Sequence, residues 1–187
     1  MKYIFSLLFL IIFSCQPLES LEEVVFDNNQ LDSISINAKK IEIINLYESK
    51  FAEYHIDHSL KFPPVIRLNS WIKDNIKNFG SKNVLKITIL DASLKRLEEK
   101  DTEAKKFESK DIYKYETFFL VDYNLYDDSN YLIASANVES YRSTTSGISI
   151  TISERERIID ELILESIRDF SNQSKNLISQ YMADYIL

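Results

Sequence analysis

Two stretches of alternating apolar and polar residues, at Tyr113–Tyr126 and Tyr131–Tyr141, constrain the fold more than any other feature of this sequence. Successive side chains of a β-strand point to opposite faces, so this alternation is typical of strands that bury one face. The residues between them, 127–130, are Asp, Asp, Ser and Asn, which favour a tight turn. The pattern therefore predicts a long β-hairpin with one face in the core. The predicted core side chains are Phe119, Val121, Tyr123 and Leu125 on the first strand and Leu132, Ala134, Ala136 and Val138 on the second.

Further strands are predicted on both sides of the hairpin. Apolar residues also alternate with polar ones in Ile34–Tyr47 and in Val84–Leu97, and residues 38–40 indicate a bulge or break in the first of these strands. Residues 148–152 alternate too, which predicts either a short edge strand or simple packing beside the last helix. Residues 98–111 contain ten charged groups without a packing pattern, so they predict a long exposed loop.

Two amphipathic helices are predicted from apolar residues at helical spacing. The first begins at Pro63-Pro64, because proline is tolerated in the first turn, and it ends at Gly80, a residue suited to a helix C-terminus. The second begins at about Ser153 and runs to the C-terminus, with a polar interruption at 171–174 where we expect the helix either to bend or to leave the sheet. Its two candidate capping-box pairs are Ser153 with Glu156 and Thr151 with Glu154. The apolar stripes are Val65, Leu68, Ile72, Ile76 and Phe79 in the first helix and Ile159, Ile163, Ile167, Phe170, Leu177 and Tyr181 in the second.

The predicted element order is β-α-β-β-β-α. Three consecutive strands favour antiparallel pairing, and two amphipathic helices can cover one face of the resulting sheet. We therefore expect an α+β fold with an antiparallel sheet of about four strands, packed with two helices of which the C-terminal one is long. Removal of residues 1–14 leaves 173 residues, a length that suits one domain with a sizeable core, which we place at residues 33–187.

The N-terminus has the pattern of a bacterial lipoprotein signal peptide, predicted to comprise residues 1–14. A positive Lys2 precedes the apolar run Ile4–Phe13, which is far shorter than the ~18–20 residues of a membrane-spanning helix. The run ends in Ile12-Phe13-Ser14-Cys15, which resembles a lipobox; the alternative is an ordinary cleaved signal with a coincidental cysteine. The resemblance implies that a diacylglycerol is attached to the Cys15 thiol and that the chain is cut before it. Residues 15–32 then form the lipidated cysteine and a polar tether.

The lipobox resemblance also implies a location. A lipid-anchored chain would lie on a cell membrane and face the periplasm, because two or more acyl chains anchor a protein stably. In enterobacteria an Asp after the lipidated cysteine retains such proteins in the inner membrane. Gln16 stands at that position here, which slightly favours the outer membrane.

Charge and composition exclude several classes of function. The formal net charge of −7 lacks the positive field that recruits phosphate backbones, so we expect no nucleic-acid partner. Serine hydrolysis needs a base, for which only His55 and His58 are available, and neither Gly80 nor Gly147 lies in a nucleophile elbow. The two histidines could ligate a metal, but a solvated loop is the favoured interpretation because no third strong ligand is implied. We expect a protein that is not an enzyme and that has no cofactor and no metal site.

Aromatic residues crowd the predicted hairpin on both faces of its strands. If one face forms the core, the other leaves an apolar patch that is typical of an interface. The alternative is that a helix lies on each side of the sheet and covers this patch. An envelope protein is the expected partner, and the alternative function is a module that binds a lipid or another small apolar ligand between sheet and helix. The candidate interface residues are Phe118, Leu120, Tyr131 and Ile133.

Several short motifs together cover most of the mature chain: Ala38-Lys39-Lys40-Ile41-Glu42-Ile43, His58-Ser59-Leu60-Lys61-Phe62-Pro63 with Trp71, and Ser153-Glu154-Arg155-Glu156-Arg157 with Glu161-Leu162 and Ile167-Arg168-Asp169-Phe170. These motifs resemble those of a group of uncharacterised alphaproteobacterial envelope lipoproteins. The low glycine content and the high content of Ile, Lys and Asn depart from typical members of that group. The element order is also similar to that of small lipoproteins that assist lipopolysaccharide export or serve lipid-handling ABC transporters. These resemblances imply a membrane-anchored, non-catalytic accessory or scaffold subunit of an envelope assembly or transport system.

Overall fold

The structure, a computed structural model, describes residues 23–102 and 111–186. Cys15 and the predicted signal peptide therefore lie outside the described residues. Residues 148–152 do not form an edge strand, which was one of the two alternatives for this segment. The elements in chain order are β1 (Ile34–Asn37), β2 (Lys40–Asn45), α1 (Pro64–Asn75), β3 (Ile76–Phe79), β4 (Val84–Lys100), β5 (Asp111–Tyr126), β6 (Leu132–Gly147) and α2 (Ile152–Tyr181).

The main sheet has the strand order β2-β4-β5-β6 and, with the two helices, confirms the predicted α+β class. The three long strands pair antiparallel, and the β4–β5 ladder runs from Val84 opposite Tyr126 to Lys100 opposite Asp111. Edge strand β2 instead runs parallel to β4, with Lys40 opposite Val84, so the prediction of antiparallel pairing was wrong for these two strands. The pairing is parallel because the chain passes through α1 and β3 after β2, and this crossover returns it to the end of the sheet where β2 began.

A second sheet, of two strands, forms from segments that the sequence assigned to a single long strand and to the end of the first helix. The predicted strand Ile34–Tyr47 divides into β1 and β2, which join different sheets. The predicted first helix ends at Asn75, and Ile76–Phe79 forms β3, which pairs parallel to β1. Gly80 has a φ of +114°, and a Cβ atom at this position would overlap the side chain of Asn37. Glycine is therefore required at the end of a strand here and does not cap a helix.

Helix α2 begins at the capping box of Thr151 and Glu154, one of the two pairs predicted for its start. Hydrogen bonds from Thr151 lower the pKa of Glu154 below its ordinary value. The helix does not leave the sheet at residues 171–174, because it continues through Ser171 and Ser174, which are both buried. The Ser174 hydroxyl lies 3.3 Å from the Tyr123 hydroxyl of β5. The polar interruption therefore faces the sheet, where a partner hydroxyl satisfies it.

Both helices pack on the same face of the main sheet around three aromatic rings. Phe119 of β5, Phe170 of α2 and Trp71 of α1 are fully buried. The centroid of the Phe170 ring lies 5.5 Å from that of Trp71 and 5.9 Å from that of Phe119, and both contacts are edge-on. Aromatic pairs favour this arrangement over face-to-face stacking. Buried residues of the predicted helix stripes surround the rings, among them Leu68, Ile72, Ile159, Ile163 and Ile167.

The described part of the predicted tether, from residue 23 onward, lies against the first helix. The guanidinium of Arg67 stacks on the Phe26 ring, 3.4 Å from the ring centroid. The side-chain amide of Asn75 donates hydrogen bonds of 2.9 Å to the carbonyl oxygens of Asn28 and Leu31. The polypeptide therefore joins the folded unit upstream of β1.

The two ends of the described chain meet. The Lys175 ammonium at the end of α2 lies 2.6 Å from a carboxylate oxygen of Asp32, just before β1. Ile36 of β1 also forms an isolated antiparallel bridge with Ile186. The small sheet is thus completed by the last residues of the chain.

Candidate functional site

The main sheet has one face covered by helices and one face that no helix covers among the described residues. Along β5 the side chains of Tyr115, Phe119 and Tyr123 are fully buried against the helices. The intervening Phe118 and Leu120 point the other way and are half-buried. We call this second side the open face, defined by the outward side chains of β5 from 114 to 122 and their cross-strand neighbours on β4 and β6. The structure thus disfavours the alternative of a helix on each side of the sheet.

The open face contains two of the four predicted interface residues. Phe118 and Leu120 lie at its centre, whereas Tyr131 lies in the β5–β6 turn at the end of the sheet, with 71% of its surface exposed. Placing Ile133 on the open face was wrong, because it is the extra residue of a β-bulge and packs against the core. The extra residue shifts the alternation of inward and outward side chains, so Leu132, which precedes the bulge and lies opposite Tyr126, is exposed although the sequence assigned it to the core.

Sequence reasoning missed Tyr141 as a member of the site. Tyr141 lies directly opposite Phe118 on β6, and 56% of its surface is exposed. Its hydroxyl donates a 2.7 Å hydrogen bond to Glu116, which also accepts one of 2.8 Å from the Lys114 ammonium. These bonds, with that of Lys114 the stronger, lower the pKa of Glu116 below its ordinary value. The turn alone, with Tyr126 opposite Leu132, would place Ser140 opposite Phe118, and the one-residue bulge that follows the turn brings Tyr141 there instead. Alternation along the second strand is the signal that could have placed Tyr141 on the outward face.

Carboxylates surround the aromatic pair. Leu120 lies between Asp91 on β4 and Glu139 on β6. Asp122, one step along β5, accepts a 2.6 Å hydrogen bond from the amide of Asn137. The open face therefore combines an apolar centre with an acidic surround, which suits contact with a protein surface that carries apolar and basic groups. It contains no arrangement of a nucleophile and a base among the described residues.

The β2–α1 loop, residues 46–63, is more ordered than the solvated loop that was predicted. Asp57 is fully buried beneath it and accepts a 2.9 Å hydrogen bond from the Tyr47 hydroxyl. Burial, together with this bond, raises the pKa of Tyr47. The other Asp57 oxygen lies 3.7 Å from Nδ1 of His55. Within residues 23–102 and 111–186 no group of three or more His, Cys, Asp or Glu side chains is placed to hold a metal ion. The buried carboxylate thus fixes the loop.

Backbone bonds attach the same loop to the sheet. The Ile56 N–H donates to the Leu94 carbonyl at 3.0 Å, and the Arg96 N–H donates to the Tyr54 carbonyl at 2.8 Å. The loop thereby continues the edge of β4 beyond the point where β2 ends. Two surface clefts border it, of about 690 Å³ beside Tyr54 and Arg96 and about 330 Å³ beside Phe62 and Arg67.

The space between the sheet and the helices is filled by side chains. Trp71, Phe119 and Phe170 occupy its centre and are completely buried. Arg67 and Asp160 lie at the margin of this layer. Partial burial lowers the pKa of Arg67 and raises that of Asp160. This packing gives no support to a ligand site between sheet and helix.

Comparisons with known proteins give limited likenesses. No protein-family model and no curated protein matches the chain. Among solved structures, it is similar to a minor lipoprotein from Acinetobacter baumannii at 12% identity and a TM-score of 0.42, over 80% of this chain and 96% of that one. It is also similar to the rare lipoprotein B from Shewanella oneidensis at 12% identity and a TM-score of 0.40, over 76% of this chain and 95% of that one. Neither fold nor function is inferred for this chain from likenesses at this level. Across the described ranges, the helices are too short or too polar to span a membrane.

Proposed function

We propose that this chain is a lipid-anchored lipoprotein of the bacterial cell envelope, held on the membrane through Cys15 and facing the periplasm. The observation that carries the proposal is the sequence Ile12-Phe13-Ser14-Cys15 at the end of a short apolar run. That run is too short to span a bilayer, so stable attachment depends on acyl chains. Gln16 after the cysteine favours the outer membrane over the inner one.

The anchored domain acts as a non-catalytic accessory or scaffold subunit, and its open face binds a partner protein of the envelope. The support is geometric, since the two helices cover the opposite face and leave Phe118, Leu120 and Tyr141 without a covering element among the described residues. Aromatic side chains at the centre of an interface commonly contribute most of the binding energy. The acidic surround selects a partner whose contact surface is apolar at its centre and basic at its margin.

Fractionation and intact-mass analysis test the anchor. Cys15→Ala should leave the protein uncleaved or release it into the soluble fraction, whereas Ser14→Ala, which keeps a small residue before the cysteine, should remain lipidated. The wild-type mass should equal that of residues 15–187 plus acyl groups. A cleaved wild-type chain without acyl groups would refute the anchor.

Site-specific photo-crosslinking in live cells tests the open face. A crosslinking residue at Phe118 or Tyr141 should capture one discrete partner. Tyr181 provides the matched control, because it is an aromatic residue with 58% of its surface exposed but lies at the end of α2 in the helix layer. Capture from Tyr181 and not from Phe118 or Tyr141 would show that the binding surface was placed on the wrong side of the domain.

A further inference from the structure

The β2–α1 loop exposes large apolar side chains beside the point where the chain enters the domain. Phe51 has 88% of its surface exposed, Tyr54 52% and Phe62 47%. Val25 of the docked N-terminal segment is 74% exposed. We call these four side chains the loop patch. Exposed aromatic residues clustered on one loop mark a surface that contacts something apolar.

Contacts along the loop join the patch to the N-terminal segment. The Phe51 ring lies 4.7 Å from that of His58. His58 and Ser59 line the larger cleft, and Ser59 lines the smaller cleft together with Phe62 and Glu23. These residues form a strip that runs from Phe51, through the polar His58 and Ser59, to the cleft that Phe62 lines with Glu23 at the start of the described chain.

The length of chain outside the structure limits how far the Glu23 end of this strip can lie from the lipid anchor. Glu23 is eight residue steps from Cys15, and a fully extended chain spans at most about 3.6 Å per residue. The anchor can thus lie no more than about 29 Å from Glu23. The smaller cleft, which Glu23 lines with Phe62, is therefore within reach of the bilayer surface when the anchor is inserted.

The geometry points to a second, non-covalent membrane contact: we propose that the loop patch inserts Phe51 and Phe62 into the boundary between headgroups and acyl chains of the bilayer that holds the anchor. This inference rests on the proposed lipid anchor. Phenylalanine rings are found on the apolar side of segments that lie at that boundary, and lysines beside them can extend their ammonium groups toward lipid phosphates. Lys61, whose ammonium lies 5.2 Å from the centroid of the Phe62 ring, is placed for this role.

Charge identifies the kind of bilayer that the patch fits. Acidic side chains outnumber basic ones in the lining of the two clefts along the strip. The acidic side chains are Glu23, Glu53, Glu98, Glu156 and Asp160, and the basic ones are Lys61, Arg67 and Arg96. Attraction to anionic lipid therefore does not drive the contact, and burial of the aromatic rings does. Vesicles of zwitterionic phosphatidylcholine are therefore sufficient to observe it.

This contact orients the domain. The loop is bonded to β4 at Leu94 and Arg96, near the end of the sheet where β4 finishes. Tyr131 lies in the turn at the opposite end, where β4 begins opposite Tyr126. The long strands then rise from the membrane toward Tyr131, and the open face is presented sideways to a neighbouring protein.

Fluorescence of the full lipidated chain in phosphatidylcholine vesicles tests the proposal. The probe is an environment-sensitive dye on a cysteine introduced as Phe51→Cys, with Tyr131→Cys as the control; the Cys15 thiol is blocked by lipid. The dye at position 51 should show a blue-shifted emission that lipids carrying a bromine or spin-label quencher reduce at least twofold, while the dye at position 131 should behave as in water.

Each alternative outcome has a distinct meaning. If the protein sediments with the vesicles but both dyes report water, the loop patch proposal is overturned and the anchor stands. A blue shift at position 51 that lipid quenchers do not affect indicates a protein contact and also overturns it. If the wild-type chain carries no lipid and stays in the supernatant, the anchor and the patch fail together. Phe62→Cys, a second site in the same strip, should repeat the result of position 51.

Discussion

Replacing Phe170 with alanine removes the ring that joins the two helices to the sheet. Phe170 is fully buried, and its ring contacts both Trp71 and Phe119 edge-on. A buried aromatic side chain removes about 150–250 Å² from water, worth ~4–6 kcal/mol at about 25 cal/mol per Å², and alanine retains a small part of this. With the cavity left behind, Phe170→Ala should lower the free energy of unfolding by about 3–5 kcal/mol.

Urea titration measures this change directly. Trp71 is the only tryptophan and lies beside Phe170, so its fluorescence reports the unfolding of the affected layer. With a slope of about 2 kcal/mol per molar urea, the midpoint should fall by about 2 M. Phe51→Ala is the matched control, because the same side chain is removed from a position with 88% exposure. A loss below about 1 kcal/mol for Phe170→Ala would refute the packing of α2 on the sheet as described.

Three further predictions concern a glycine, a buried carboxylate and a helix cap. Gly80→Ala forces a Cβ atom into a neighbouring side chain at φ +114° and should cost more than ~1 kcal/mol in urea, while Gly147→Ala, whose Cβ would meet its nearest atom at 3.9 Å, should be neutral. Tyr47→Phe removes the hydroxyl that bonds Asp57 and should cost about 1.5–3 kcal/mol in the same titration; a neutral result would contradict the buried bond. Hydrogen bonding lowers the pKa of Glu154 below its ordinary 4.5, so the ionised carboxylate stabilises the fold above that pH and this contribution is lost as the pH falls through the lowered pKa. In Glu154→Gln the free energy of unfolding should therefore decrease less between neutral and acidic pH than in the wild type.

Local periodicity predicted the elements whose partners are close in sequence. The hairpin of β5 and β6 and the capping of α2 at Thr151 follow from residues within a few positions of each other. β3 could not be predicted in this way. Ile76 and Phe79 have a spacing compatible with a helix, and only the pairing of β3 with β1, some 40 residues earlier, makes them a strand.

In the candidate site, too, local periodicity predicted some residues and missed others. Phe118 and Leu120 were placed on the outward face because strict alternation holds along β5. Ile133 was placed there too, but wrongly, since a bulge opposite Tyr126 adds one residue and shifts the pattern, and no residue type in the sequence marks this bulge. The loop patch was also beyond sequence reasoning, because Phe51 and Phe62 lie in an aperiodic segment whose exposure depends on how Asp57 is buried.

The meeting of the chain's two ends has a consequence for biogenesis. Asp32 and Lys175 are 143 residues apart, and the bridge between Ile36 and Ile186 spans even more of the chain. At about 5–20 residues per second, a growing chain extends for on the order of ten seconds after Asp32 is made before its partner exists. During that interval the small sheet lacks its last contacts and the N-terminal segment lacks its ionic partner on α2. The small sheet therefore stays open until Ile186 has been synthesised, which leaves time for the chain to cross a membrane unfolded, as the proposed lipid anchor requires.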